Sequence, residues 1–497
     1  RTFEESGDYV VRDFDINIRE NLDDTFNNGV YAIGSTTADG NTAVGYEALS
    51  DNTTGANNVA VGDRALDDNT TGENNTAIGQ HALGAISTGS YCTAMGQGAL
   101  YNNTASSNTA IGNHCMLANT SGTSNTAVGE AALDANTTGQ QNNAFGHNAL
   151  GGNTTGSYNV AVGEQSLYVN NGSDNTGCGH RTLQANTTGE SNTAVGANAL
   201  DANTTGDYNV AMGVNALGAC TTGNKNVSIG YGSLLDATTA RYQVAIGYEA
   251  LANQTTAQSG AVAIGHQCLY NSNGGDSYSY NTAVGTACMY SLTSGRANSS
   301  LGDSGLYSVT TGERNTGCGQ GSGAFVSTGN DNLMLGYNSG KSSSPSGQIT
   351  TGSGNVCLGD NSISNLFCAD TSISSSDQRD KTDIEDFTKG LDWIKALRPV
   401  TYRWDRRTWY GTEEEPYGTP DGSKKRQRLH VGFLAQEALA VEQANGYGHN
   451  NDDSLILNLT EDGMSYGMKY ERLVPVLVNA IKELSAEVEQ LKSQLNN

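Results

Sequence analysis

The chain has 497 residues with 63 Gly, 5 Pro and 15 % charged side chains, where an average globular protein carries about 7 % Gly, 5 % Pro and 25 % charge. Its 51 acidic against 26 basic residues leave a net charge of -25, which speaks against a nucleic-acid binder, because neutralising phosphates needs clustered Lys and Arg. No apolar run approaches the ~20 residues that cross a bilayer, and the nine Cys lack paired metal-type spacing, so membrane insertion, a disulfide framework, a metal site and a cofactor are all unexpected.

Residues 1–40 are mixed and more charged than the repeats beyond them, and form a separate N-terminal segment. The opening RTFEESGDYV lacks the basic-then-apolar pattern of a secretory signal. From 41 to 363 the motif N-T-A-V-G-x-x-A-L recurs, anchored by 19 glycines from Gly45 to Gly359, and 13 of the 18 intervals are 17 residues. The residue before each anchor is apolar (Val44, Ile78, Met95, Phe145), and the one before that is nearly always small (Ala43, Ala60, Ala77). Four residues after the anchor a large apolar side chain returns (Leu49, Leu66, Met116), preceded by a small one (Ala48, Ala65, Cys115). Like residues at a fixed period predict a solenoid whose coils stack each side chain on its counterpart.

Alternation within Thr42-Ala43-Val44-Gly45 sends Val44 to one face and Ala43 with Gly45 to the other. The small face requires a close approach, by a neighbouring strand of the same coil or by a second chain, and neighbouring chains are favoured because a coil with one large residue per strand buries little apolar surface alone. The D-N-T-T-G and A-N-T-T-G linkers are expected to supply Asn and Gly for turns of positive φ. Their N-x-T triplets read as turn chemistry rather than glycosylation acceptors. The Cys read as small apolar fillers. Nineteen coils at a strand spacing of about 4.8 Å predict a rod of roughly 90 Å.

The N-T-A-V-G and N-V-A-I-G units resemble the head repeats of trimeric autotransporter adhesins. That resemblance implies a left-handed parallel β-roll wound as a trimer over residues 41 to about 363. The largest departures from the repeat are the insert Asn271 to Tyr280 and the stretch Tyr337 to Asn355. Tyr270, Tyr278 and Tyr280 are candidate receptor contacts, since tyrosines stack on sugar rings.

After a Ser-rich linker, 364–375, composition switches: residues 371–497 hold 16 of the 26 Lys and Arg and all three Trp. Leu391, Ile394 and Leu397 predict a short helix stopped by Pro399, and Val400–Trp404 predicts a strand. Segment 405–428, with Glu413-Glu414-Glu415 and Lys424-Lys425-Arg426, reads as a solvated hairpin loop. At the end Val474, Leu477, Ile481, Leu484, Val488, Leu491 and Leu495 alternate at intervals of 3 and 4, a heptad seam that predicts an oligomerising coiled-coil helix.

The string Ser376-Asp377-Gln378-Arg379-Asp380-Lys381, then Leu397-Arg398-Pro399-Val400-Thr401-Tyr402 and His430-Val431-Gly432-Phe433-Leu434-Ala435-Gln436-Glu437, resemble the intramolecular chaperone of bacteriophage tailspikes, tail fibres and neck appendages. The resemblance covers 376–497. It implies a small α+β module that trimerises, templates the preceding β-structured fibre and releases itself by cutting between Ser375 and Ser376. Ser376 and Lys381 take the family's serine and lysine positions, and His430 takes its histidine position. A Ser–Lys pair cuts only where the lysine is neutral enough to accept the hydroxyl proton, which burial or a nearby cation such as Arg379 promotes.

The chain therefore reads as mainly β, a β-roll or β-solenoid shaft followed by a chaperone and auto-processing domain at 376–497. Its expected role is a homotrimeric phage tail fibre or tailspike in the virion, synthesised in the host bacterial cytoplasm. Residues 1–40 would hold a viral tail or baseplate protein, and the shaft a host cell-surface glycan or protein. Any catalysis is expected to be a single-turnover serine autoprotease, not action on an external substrate. Two other readings stay open: a tailspike that depolymerises polysaccharide, although the uniform repeats leave no room for paired carboxylates, and a bacterial trimeric surface adhesin.

Overall fold

The computed structural model describes residues 38–255, 259–273, 279–363, 378–412, 415, 417–450, 452–459 and 466–496. It divides into two compact units, the first ending at Ser279 and the second starting at Tyr280. The first holds strands β1 (Thr42–Val44) to β14 (Val262–Ile264), and the second β15 (Thr282–Val284) to β19 (Val356–Leu358), each three residues long. Within each unit neighbouring strands pair in parallel and in register, so Ala43 lies beside Ala60 and Ala127 beside Ala144. This is the parallel β-solenoid of 19 strands that the repeat predicts, followed by a small module with a terminal helix.

Each coil closes on itself. The Ala columns (Ala60, Ala127, Ala144) and the Leu columns (Leu66, Leu133, Leu150) are fully buried in a single chain. At Gly177, which replaces Ala in one coil, an added Cβ would sit 2.8 Å from Thr182 Oγ1 and 3.4 Å from Leu167 Cγ. The close approach at the small face therefore comes from the chain's own Ala-Leu segments, not from neighbouring chains as the sequence suggested. The large residues before the anchors point the other way: Val44 is 50 % exposed and Phe145 41 %, with Ile78, Met95, Ile111 and Met212 also exposed. Two cysteines of that outward column, Cys178 and Cys318, are exposed, so they are not core fillers, whereas the other six described cysteines are buried.

The turn chemistry also differs from expectation. Positive φ falls on the Leu column (Leu133 at 55°), on the residue two after each anchor (Ala131 at 52°), and on the residue five before it (Tyr158 at 62°). A left-handed conformation costs a bulky L-residue roughly 1–2 kcal/mol, which burying the Leu side chain, about 1.5–3 kcal/mol, offsets. The anchor Gly129 lies at φ 140°, where a Cβ would overlap the carbonyl oxygen of Gly146 in the next coil.

The linker asparagines are not turn formers but buried ladders. Asn136 Nδ2 donates to Asn119 Oδ1 at 2.7 Å and to the Gly139 carbonyl at 3.1 Å, and Asn153 Nδ2 donates to Asn136 Oδ1 at 2.9 Å. A second ladder precedes the strands: Asn142 Nδ2 donates to the Gly156 carbonyl at 2.9 Å, and its Oδ1 accepts the Asn159 N–H at 3.0 Å. Stacked amides thus satisfy the coil interior in the manner of cross-β asparagine ladders. The N-x-T asparagines Asn52, Asn69, Asn136, Asn153, Asn186 and Asn203 are buried, which closes them to glycosylation in the folded shaft.

In the C-terminal module α1 (Leu391–Ala396) ends three residues before Pro399, and α3 (Leu473–Leu495) is the terminal helix. Glu483 on α3 accepts the Leu391 N–H at 2.7 Å, capping α1, and Asn479 Nδ2 donates to the Phe387 and Lys389 carbonyls. Leu397, Ala438, Ile456, Leu457 and Leu473 form the core. Glu442, on α2 (Ala435–Ala444), is fully buried; its carboxylate accepts the Ser454 hydroxyl at 2.8 Å and the Ile456 N–H. Glu442→Ala strands the Ile456 N–H, whereas the Ser454 hydroxyl keeps the Leu457 carbonyl at 3.1 Å, so the module is expected to lose about 1–3 kcal/mol, and Glu442→Gln less. Trp emission checks this in the whole chain, because all three Trp lie in the module.

Candidate functional site

Ser375 and Ser376 lie outside the described residues, as does Tyr278. Lys381 follows the short 3-10 turn Gln378–Asp380; its backbone N–H donates to the Gln378 carbonyl at 3.2 Å and it is exposed, as is Arg379. Of the receptor candidates, Tyr270 is half-buried and Tyr280 is 63 % exposed with φ 48°.

His430 belongs to a different constellation. Strands β20 (Val400–Tyr402) and β21 (His430–Gly432) pair antiparallel, so Tyr402 faces His430. Their rings stack at 5.6 Å, and Trp404 meets the same imidazole edge-on at 6.3 Å. The excursion 403–429 between these strands is not a freely solvated loop. Arg426 donates its backbone N–H to the Trp404 carbonyl at 2.9 Å, which folds the basic run back over the aromatic one. Arg406 then lies over Trp404 at 4.2 Å, Arg426 over Trp409 at 5.0 Å and Lys424 over Tyr410 at 5.3 Å.

Trp404, Arg406, Trp409 and Arg426, with Asn361 and Ile363 at the end of the shaft coils, line a cavity of about 590 Å³ that His430 borders. Lys381 is not part of its lining. Burial, and after it the neighbouring Arg426, pull the Arg406 guanidinium below its ordinary pKa. Arg406 donates to Asn361 Oδ1, and Arg426 donates to the Ser362 carbonyl at 3.4 Å. Among the described residues neither forms a salt bridge, so the cavity suits an anionic group held between aromatic walls. Its sequence signal was the alternation of Trp404, Arg406, Trp409 and Tyr410 opposite Lys424, Lys425, Arg426 and Arg428. Composition could not show that the two runs fold together.

The terminal helix has two apolar faces. Leu473, Val476 and Ala480 are buried against the module, while the heptad positions from Val474 and Leu477 through Ile481 and Leu484 to Leu495 are exposed. No curated protein matches the chain. Residues 376–447 match the family model described as chaperone of endosialidase, so the solenoid is followed by a module with a segment similar to that family.

Proposed function

We propose that the chain is a homotrimeric fibre or tailspike of a bacteriophage, assembled by its C-terminal module and attaching the particle to a host cell surface. The observation that carries the reading is the coupling of a parallel β-solenoid to a segment matching the chaperone of endosialidase family. In the single chain two long apolar surfaces stay open, the outward Val/Ile/Met/Phe column of the shaft and the heptad seam of α3. Three copies meeting along both would remove this surface from water, at about 25 cal/mol per Å², and the seam supplies the register. Residues 1–40 join the fibre to a viral tail or baseplate protein. The mature protein resides in the virion after synthesis in the host bacterial cytoplasm.

Native mass tests the assembly: the Ser376→Ala chain, whose two parts stay joined, is expected at about 155 kDa, three times the 51.8 kDa of one chain. Cys178 and Cys318 stand in the outward column, so alkylation at both is expected to be at least tenfold slower in the native assembly than in chains dissociated by mild denaturant. Burial pushes the Cys115 and Cys220 thiols up to about 12 and about 11, so these stay unmodified until the coils unfold. A mass near one chain together with rapid modification of Cys178 and Cys318 would refute the trimer.

A further inference from the structure

The position five residues before each anchor glycine is left-handed in coil after coil, and most coils fill it with residues suited to that backbone: Asn57, Asn74, Ser107, Ser124, Asp174 and Ser191, at φ between 56° and 63°. In the first unit Tyr91, Tyr158, Tyr208 and Tyr242 occupy the same position at φ 63°, 62°, 59° and 56°. An aromatic residue gains nothing from this backbone and is disfavoured there by roughly 1–2 kcal/mol. The Leu column recovers that cost by burial, but these tyrosines do not, being 66 %, 54 %, 59 % and 47 % exposed. Their rings stand out from the coil with no burial to offset the cost of the backbone.

Their neighbours leave the rings open. Tyr91 stands between Asn74 and Ser107, Tyr158 between Gln141 and Asp174, and Tyr208 between Ser191 and Lys225, one coil away on either side. Among the described residues Tyr91, Tyr158 and Tyr208 have no ring partner, in contrast with Tyr231, Tyr248 and His266, which stack on one another at 5.3 Å and so occupy their own faces. Lys225 lies over the Tyr242 ring at 5.4 Å, so hydrogen-bonding groups flank three free aromatic faces along one edge, four and three coils apart, or roughly 19 and 14 Å at a strand spacing of about 4.8 Å. A contact between identical chains would need this edge in every coil, whereas the tyrosines appear in a few. The outward apolar column, present in every coil, is the one that fits such a contact.

We infer that this tyrosine row is a binding edge for a neutral polysaccharide lying along the shaft, its sugar rings stacked on Tyr91, Tyr158 and Tyr208 and its hydroxyls bonded to the polar side chains between them. Neutrality follows from charge: residues 41–279 carry 16 acidic and 4 basic side chains, which repel a polyanion. The inference rests on the attachment reading and specifies its ligand class.

The test uses the full chain and its triple variant Tyr91→Asn, Tyr158→Asn, Tyr208→Asn, whose backbone asparagine tolerates, so its thermal midpoint is expected to equal or exceed that of wild type. Both are run through native gels containing dextran, mannan, galactan or polygalacturonate. Wild type is expected to be retarded by at least one neutral polymer and not by polygalacturonate, and the variant to bind that polymer at least tenfold more weakly. Equal migration of the two proteins in every gel, or retardation by polygalacturonate alone, overturns the inference. Adsorption to a panel of bacterial cells separates the two readings: wild type and variant adsorbing equally defeats the tyrosine row and leaves attachment standing, whereas no adsorption of wild type defeats attachment itself.

Discussion

Expressed as the full chain, the protein is expected to appear by intact mass as two pieces, 1–375 and 376–497, while Ser376→Ala and Lys381→Ala each stay whole. In the reaction, Ser376 Oγ attacks the Ser375 carbonyl carbon as Lys381 takes the hydroxyl proton and returns it to the departing amide nitrogen. The resulting ester joins the Ser375 acyl group to the Ser376 side chain, and one water hydrolyses it to a carboxylate and a free hydroxyl. Removing either member of such a unit abolishes most of its rate, so the effect is expected to be at least a thousandfold on the cleavage half-life. Lys381 is exposed in the single chain, whereas a lysine that acts as a base works enclosed away from water. Cleavage is therefore expected to follow assembly: dilution that keeps chains apart should slow it, and Lys381→Arg should not restore it. A wild-type chain that stays whole as an assembled trimer would make Ser376 and Lys381 structural and leave the module as a permanent end of the fibre.

The second large effect is expected in the asparagine ladder. Asn142→Ala removes the acceptor of the Asn159 N–H and side-chain amide, at 3.0 and 3.1 Å, and the donor to the Gly156 carbonyl at 2.9 Å. The Gly156 carbonyl keeps Asn153 Nδ2 and the Asn159 side-chain amide keeps the Gly172 carbonyl, both at 3.0 Å, so the Asn159 N–H is the buried group left unmet and the variant is expected to lose about 1–3 kcal/mol. Thr138→Ala, at an exposed position of the preceding turn, is expected to change stability by less than about 0.5 kcal/mol. Denaturant unfolding followed by far-UV circular dichroism compares them. Because a solenoid couples mainly nearest neighbours, hydrogen exchange should rise in the coils spanning residues 125–159 before it rises elsewhere. Equal losses for the two variants would mean that the ladder does not hold the coils.

The helix before Pro399, the strand at Val400 and the terminal helix were legible, because each is a local pattern whose spacing carries its own physical reason. The pocket around Arg406 and Arg426 was not legible. Its two cationic and aromatic runs are separated by about twenty residues and meet only because β20 and β21 pair across the excursion. Glu442 was equally silent, since a lone glutamate on a helix reads as solvated until the chain at Ser454 and Ile456 is seen to cover it.

By itself the sequence determined the coil period, the strand positions and the parallel register, because a repeat of about 17 residues allows like residues to stack only on like. Which face of each strand lies inside was decided by the tertiary structure. Alternation separates Ala43 from Val44 without saying which is covered, and the answer came from the left-handed Leu and Ala segment folding back over the small face. The same closure turned the linker asparagines from turn formers into the polar core, since a coil this thin has room at its centre for stacked amides and small side chains but not for a second layer of large apolar ones.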